Sequence, residues 1–251
     1  MQAIVLAGGQ GTRLKPYTTV LPKPLVPVGD LPICEIVVRQ LRACGFRRVV
    51  FAVNHLAELI EAFFGDGRRW GMDISYARED RPLGTAGPIG NVQPLDQTFL
   101  VMNGDILTDL DYRDLVQAHR TSGATATLGA FAKSVPVSLG VIETDATDRL
   151  TGYVEKPTLH YRVSMGVYVM DRRVREVVSP GQSLDLPDLL KALIARGDHV
   201  HCHPFSGEWF DIGRPEDYDD AVKRFEQHPA RFLPDTAGEP RREAPGAIAE
   251  R

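Results

Sequence analysis

Met1-Gln2-Ala3-Ile4-Val5-Leu6-Ala7-Gly8-Gly9-Gln10-Gly11-Thr12-Arg13-Leu14 opens the chain. Residues 3–7 form an apolar run of strand length that breaks directly into three glycines within four positions. The same kind of run recurs at 49–53 and 99–102. Near-continuous apolarity, rather than alternation, is what strands buried on both faces of a parallel sheet require. Helical patterns lie between these runs. Ile33, Ile36, Val37, Leu41 and Cys44 recur at helical spacing and stop at Gly45, residues 55–64 predict a second helix, and Asp111 is placed to cap a third through Leu115, Val116 and His119. Strands alternating with helices at this spacing predict an α/β fold with a doubly wound, mostly parallel, Rossmann-like sheet. Ligands of such sheets sit beyond the carboxyl ends of the strands, so the loops there carry the functional reading.

The second half changes character. Residues 125–131, 139–144, 149–154 and 162–170 are β-rich and separated by turn residues, which predicts a smaller β-rich extension. Two helices follow, through Leu186, Leu189, Leu190, Leu193 and Ile194, and through Tyr218, Ala221, Val222 and Phe225 with Pro215 in the first turn. The expected organisation is one catalytic unit over 1–228, with a first part to about 122 and a second over 123–228. Residues 229–251 are expected to form a disordered tail whose removal after about residue 230 leaves stability unchanged, since the segment shows no period.

Composition narrows the function. The 251 residues are 43% hydrophobic and 25% charged, ordinary for a globular protein. The 29 basic and 33 acidic residues are scattered and sum to −4, whereas nucleic-acid binding needs a clustered basic face. No apolar run approaches the roughly 18–20 residues of a membrane helix, and the first residues lack the pattern of a signal peptide. Cys34, Cys44 and Cys202 show no pairing motif, so a cytoplasmic location is expected. His199, His201 and His203 would share one face of a strand, either as a metal patch or as the wet side of an edge strand.

The glycine loop can approach a ligand closely and aim several N–H groups at one anion, and Arg13 adds a planar fork suited to phosphate oxygens. Lys23 lies between Pro22 and Pro24, which stiffen its position. No Lys-Ser/Thr follows the last glycine, so this is not the phosphate loop G-x-x-x-x-G-K-[ST]. Leu14 stands where a dinucleotide fingerprint needs its third glycine. Asp105 ends a buried run, and a second carboxylate at Asp211 suits Mg²⁺, which is usually held by one or two carboxylates plus substrate phosphates. Glu79 lies within Arg78-Glu79-Asp80-Arg81, readable as a solvated charge run. Alternatively, its carboxylate accepts from guanine N1–H and N2–H₂ together, where uracil or thymine offers one donor. Lys156 precedes Pro157, which favours an extended backbone.

Taken together, Gly8-Gly9-Gln10-Gly11-Thr12-Arg13-Leu14-x-Pro16 through Pro22-Lys23-Pro24-Leu25, Pro82-Leu83-Gly84-Thr85-Ala86-Gly87-Pro88, Asn103-Gly104-Asp105, Glu155-Lys156-Pro157 and Trp209-Phe210-Asp211-Ile212-Gly213 resemble, in order, the motifs of the sugar-1-phosphate nucleotidylyltransferases, or NDP-sugar pyrophosphorylases. The resemblance covers about residues 1–227 and is nearest the mannose-1-phosphate and heptose-1-phosphate guanylyltransferase branch. It implies Mg²⁺-dependent transfer of a nucleoside monophosphate from a triphosphate, GTP first, to a sugar-1-phosphate, mannose-1-phosphate first. Thymidylyl or uridylyl transfer to glucose-1-phosphate or another sugar phosphate and a non-catalytic nucleotide- or sugar-binding regulatory homologue are the alternatives.

By that resemblance Arg13, Lys23, Asp105, Lys156 and Asp211 are catalytic, with Asp105 and Asp211 holding the metal. Leu6, Ala7, Gly8, Gly9, Gly11, Thr12, Glu79, Pro82, Gly84 and Thr85 contact the nucleotide. Asn103, Gly140, Glu155, Lys156, Ser164 and Trp209 contact the sugar phosphate. Leu139 stands where relatives commonly have tyrosine and Ser164 where they usually have asparagine, which bears on the sugar and not on the phosphate chemistry. The C-terminal β-helix of longer relatives is not expected, and a homodimer is left open.

Overall fold

The computed structural model describes residues 1–233. A seven-stranded sheet forms the centre, from β1 (Gln2–Leu6), β2 (Arg48–Val53), β3 (Asp73–Arg78), β4 (Thr98–Asn103), β5 (Ala126–Pro136), β6 (Thr158–Asp171) and β7 (Val200–Phe205), in the spatial order β7-β5-β6-β4-β1-β2-β3. β1 pairs in parallel with β2 on one side and β4 on the other, β2 with β3, and β7 with β5. β6 is antiparallel to both β4 and β5. The sheet is therefore doubly wound and mostly parallel, as its unbroken apolar strands require.

Helices cover both faces. On one side α1 (Ile33–Ala43), α2 (Ala57–Phe64) and α4 (Tyr112–Ser122) pack on Val5, Phe51 and Met102. On the other, α3 (Gly87–Asn91) and α5 (Leu186–Arg196) pack on Ile4, Val50 and Val101. α1 stops where expected, its last turn closed by Gly45 N–H on Arg42 O and Phe46 N–H on Leu41 O. Asp111 caps α4 by accepting from Arg113 N–H at 2.9 Å. α2 starts two residues later than its pattern suggests, because Leu56 takes a left-handed conformation (φ 54°).

The β-rich extension is real. The outer ends of β5 and β6 carry an antiparallel ribbon of Val141–Thr144 with Leu150–Val154. Two expectations change. The histidines of β7 do not mark its wet face: His201 and His203 are half-buried and lie toward α4, while Cys202 and Pro204 are exposed. Among the described residues no group of three or more His, Cys, Asp or Glu side chains is placed to hold a metal ion.

The packed body also runs past residue 228. After α6 (Pro215–Gln227), α7 (Pro229–Phe232) turns Phe232 into a third apolar cluster with Leu14, Val28, Ile36 and Phe225, where it is fully buried. Gln40 Nε2 donates to its carbonyl at 2.9 Å. Four residues are too few to show a helical period, which hid this anchor in the sequence. The rest of the expected tail, 234–251, lies outside the described residues. Phe232→Ala, or truncation after Ala230, is therefore expected to cost about 3 kcal/mol, the usual range for emptying a buried aromatic site. In a body of this size that lowers Tm by roughly 6–12 °C; an unchanged melting temperature would show that α7 is dispensable.

Candidate functional site

The site is built where β1 and β4 end side by side. Leu6 stands opposite Asn103, and Gly104 N–H donates to Leu6 O at 2.9 Å, with no room for a side chain between that oxygen and Cys34 Sγ. This turn delivers Asp105 to the carboxyl edge of the sheet. A ribbon of Ile106–Thr108 with Trp209–Asp211 then brings Asp211 opposite Ile106, and Ile212 N–H closes on Asp105 O. Two carboxylates a hundred residues apart in sequence thus become neighbours.

Their electrostatics are unbalanced. Lys23, almost buried in the short turn Lys23–Leu25, pairs with Asp105 Oδ2. Asp105 Oδ1 is also buried but has no hydrogen-bond partner among the described residues. Asp211 opens onto a cleft, yet desolvation by the surrounding protein and then the charge on Asp105 push its carboxyl up, while Lys23 and Arg13 act the other way. An orphaned carboxylate oxygen beside a second, crowded carboxylate is an arrangement that a divalent cation would relieve. The residues present fit that group.

A cavity of about 320 Å³ opens on the β1–β4 edge, lined by Leu6, Ala7, Gly8, Gly9, Lys23, Asn103 and Asp105, and on its far wall by Glu79, Pro82, Gly84 and Thr85. Eleven of the expected site residues are thus brought together. Among the described residues, no atom beyond Gly9 and its two chain neighbours lies within 4 Å of where a Gly9 side chain would begin, so that glycine faces open space. Glu79 is half-buried, and its Oε2 accepts from Leu83 N–H at 2.8 Å; burial pushes its carboxyl up and this N–H partly offsets the shift. Asn54, which sequence reading passed over, also lines the cavity and holds Glu79 O through Nδ2 at 3.1 Å. Its only signal is its place just beyond the apolar run of β2.

The small residues of this wall have a second cause. A side chain on Gly84 (φ +74°) would meet Leu184 O at 2.6 Å, one on Gly87 would strike Gln182 O, and one on Gly90 would meet Ser179 O at 2.6 Å. Packing against residues 179–184 therefore demands them whatever the ligand. The Thr85 hydroxyl bonds Asp185 and accepts from Leu186 N–H, tying the wall to α5.

The remaining expected residues lie elsewhere. Arg13, Trp209 and Asp211 line a second cleft of about 420 Å³, together with Phe131, Lys133, Phe210, Gly213, Arg214 and Asp217. Gly11 and Thr12 shape the turn into residues 12–14 and line neither space. Ser164 sits at a bulge in β6, bonded to Tyr168 Oη at 2.9 Å. The bulge needs Gly166 (φ +70°), since a side chain there would meet Asn103 Nδ2 at 2.7 Å. Gly140, Glu155 and Lys156 belong to the exposed ribbon, where Tyr153 Oη donates to Glu155 at 2.9 Å and lies against Gly140. Lys156 is not extended: its φ is 45°, a costly conformation for a long side chain, imposed by the turn that carries the ribbon into β6.

Comparison with known proteins bears on this arrangement. A family model for nucleotidyl transferases matches residues 2–228. A UTP–glucose-1-phosphate uridylyltransferase from Synechocystis sp. is 36% identical over 245 residues, 89% of this chain and 63% of that protein. A mannose-1-phosphate guanylyltransferase from Mycobacterium tuberculosis is 34% identical over 226 residues, 87% of this chain and 62% of that protein. The chain thus spans less than two thirds of the length of these relatives. A structure from Bacillus anthracis, solved in complex with sucrose, shares the fold with a TM-score of 0.74 and 24% identity over 95% of this chain and 98% of that one. The chain belongs to the nucleotidyl transferase family.

Proposed function

We propose that this protein transfers a nucleoside monophosphate from a nucleoside triphosphate to a sugar-1-phosphate, releasing pyrophosphate, with GTP and mannose-1-phosphate as the preferred pair. The observation that carries the reading is the Asp105–Asp211 neighbourhood at the β1–β4 edge, with Asp105 Oδ1 buried and unpartnered. Two anionic reactants repel each other, so what the chain must supply is positioning and positive charge rather than a covalent intermediate. The glycine loop would offer N–H groups and Arg13 its fork to the outer phosphates. Lys23 would leave Asp105 to meet the α-phosphate and the charge growing on the leaving group, while Lys156 and the residues of the β6 bulge would orient the acceptor. Asp105 and Asp211 would hold Mg²⁺, which supplies charge neutralisation across the phosphates.

Base choice is assigned to Glu79, whose carboxylate is steadied by Leu83 N–H at the cavity wall. Pairing with two guanine donors satisfies it better than one donor from uracil, worth about 1–3 kcal/mol or roughly 5- to 150-fold. Pyrophosphate release in Mg²⁺ with GTP, UTP, dTTP, CTP and ATP against a panel of sugar-1-phosphates tests the reaction. GTP is expected to lead and Glu79→Gln to flatten its lead. Preference for UTP, as the name of the Synechocystis relative suggests for that protein, or an unaltered preference in the variant, would reassign the base.

The two carboxylates are expected to separate by stability while agreeing in activity. Asp105→Asn and Asp211→Asn should each lower turnover at least about 100-fold. Asp105→Asn leaves the Lys23 ammonium nearly buried without its counter-charge and should cost about 2–3 kcal/mol. Asp211→Asn should instead raise the Tm of the free protein at pH 7. A carboxyl whose folded pKa is raised adds stability only while protonated, below its ordinary value of 3.8, and loses it as pH rises through the folded pKa. The gain from Asp211→Asn should therefore shrink as pH falls toward 4. Equal Tm changes of one sign in both variants, or wild-type turnover in either, would overturn the assignment.

A further inference from the structure

Several surface arginines of this protein, among them Arg48, Arg78, Arg113, Arg173, Arg196, Arg224 and Arg231, form ion pairs with carboxylates. The second cleft differs. Arg13, Lys133 and Arg214 line it, and among the described residues none of the three makes a side-chain hydrogen bond or ion pair, although Asp211 and Asp217 line the same space. Phe131 and Trp209, with ring centroids 5.4 Å apart, form an apolar wall beside them. A concave surface in which cations outnumber carboxylates beside a low-dielectric wall concentrates its field on an anion that enters.

Resting on the proposed reaction, we propose that this cleft receives the inorganic pyrophosphate that the transfer releases, and that Lys133 and Arg214 bind it. In the step itself an oxygen of the sugar phosphate forms a bond to the α-phosphorus while the bond to the bridging oxygen breaks, its electron pair leaving with pyrophosphate. Attacking and leaving oxygens lie in line on opposite sides of that phosphorus. Of the residues assigned to the acceptor, Gly140, Glu155, Lys156 and Ser164 stand outside this cleft and Trp209 lines its apolar wall, whereas Arg13, assigned to the outer phosphates, runs from the glycine loop into it. Arg13 therefore links the outer-phosphate end of the nucleotide to the cations of this cleft. Lys133 and Arg214 add to Arg13, so three cations face two carboxylates, Asp211 and Asp217, in the cleft and leave it net positive toward an arriving polyanion.

The test runs the reaction backward on the full chain, from nucleotide sugar and pyrophosphate in Mg²⁺. Arg214→Gln and Lys133→Gln should each raise KM for pyrophosphate about fivefold or more while KM for the nucleotide sugar stays within about twofold, and Arg214→Lys should recover most of the loss. Both side chains are exposed, so the variants should melt with the wild type. Calorimetric titration of Mg²⁺-pyrophosphate into the free protein reads the cleft without turnover: the wild type should bind it and the double variant at least about fivefold more weakly. An unchanged KM for pyrophosphate, a rise confined to KM for the sugar-1-phosphate in the forward direction, or equal binding by wild type and double variant would overturn the proposal. A wild type that binds pyrophosphate through these residues yet releases none from any triphosphate would instead remove the proposed reaction.

Discussion

Because β1 is paired in parallel on both of its edges, the chain can leave β1, β2 and β4 only over one end of the sheet, and the loops that line the cavity are hung there. The glycine loop follows β1, Asn54 follows β2 and Asp105 follows β4. The Gly104–Leu6 hydrogen bond fixes the spacing between two of these exits, and Glu79, just past β3, completes the wall. This is the general behaviour of a sheet that winds outward in both directions from a central strand: the loops on either side of the reversal diverge and leave a crevice. The cavity is a consequence of strand order before it is a consequence of any side chain.

The site keeps charges that a stability-optimised protein would pair off. Asp105 has one oxygen satisfied by Lys23 and one by nothing, Asp211 is crowded toward its neutral form, and three cations of the second cleft lack partners among the described residues. Elsewhere the surface follows the ordinary rule. Arg224 and Arg231 meet Glu208 and Asp109, so the ends of α6 and α7 are clasped to the turn that precedes the Asp211 ribbon. Unpaired charge gathered in a cavity is how a fold stores electrostatic work for a ligand that arrives already charged.

Much of this was legible in the chain. Uninterrupted apolar runs marked the parallel strands, Gly45 and Asp111 marked helix ends, and the glycine loop with Lys23 and Asp105 marked the edge at which the cavity opens. What escaped has no local signature. Phe232 anchors a four-residue helix too short to show a period. Lys156 obeys the turn it stands in rather than the preference its proline sets. Gly84, Gly87 and Gly90 are required by backbone packed behind them from a segment about a hundred residues away, which no local pattern announces. Lys133 and Arg214 look like any exposed cations until tertiary structure places them around one cleft.

The ribbon that joins Asp105 to Asp211 also sets an order of events in the cell. A nascent chain made to residue 122 already holds β1 to β4, the glycine loop and α4, enough to begin forming the central sheet. The strand that carries Asp211 leaves the ribosome some ninety residues later, and at about 5–20 residues per second that is a delay of seconds. During that interval Ile106–Thr108 has no partner strand and Asp105 no neighbouring carboxylate. A half-made chain therefore lacks the second acid, and the two carboxylates meet only once the far end of the polypeptide has come home to the first.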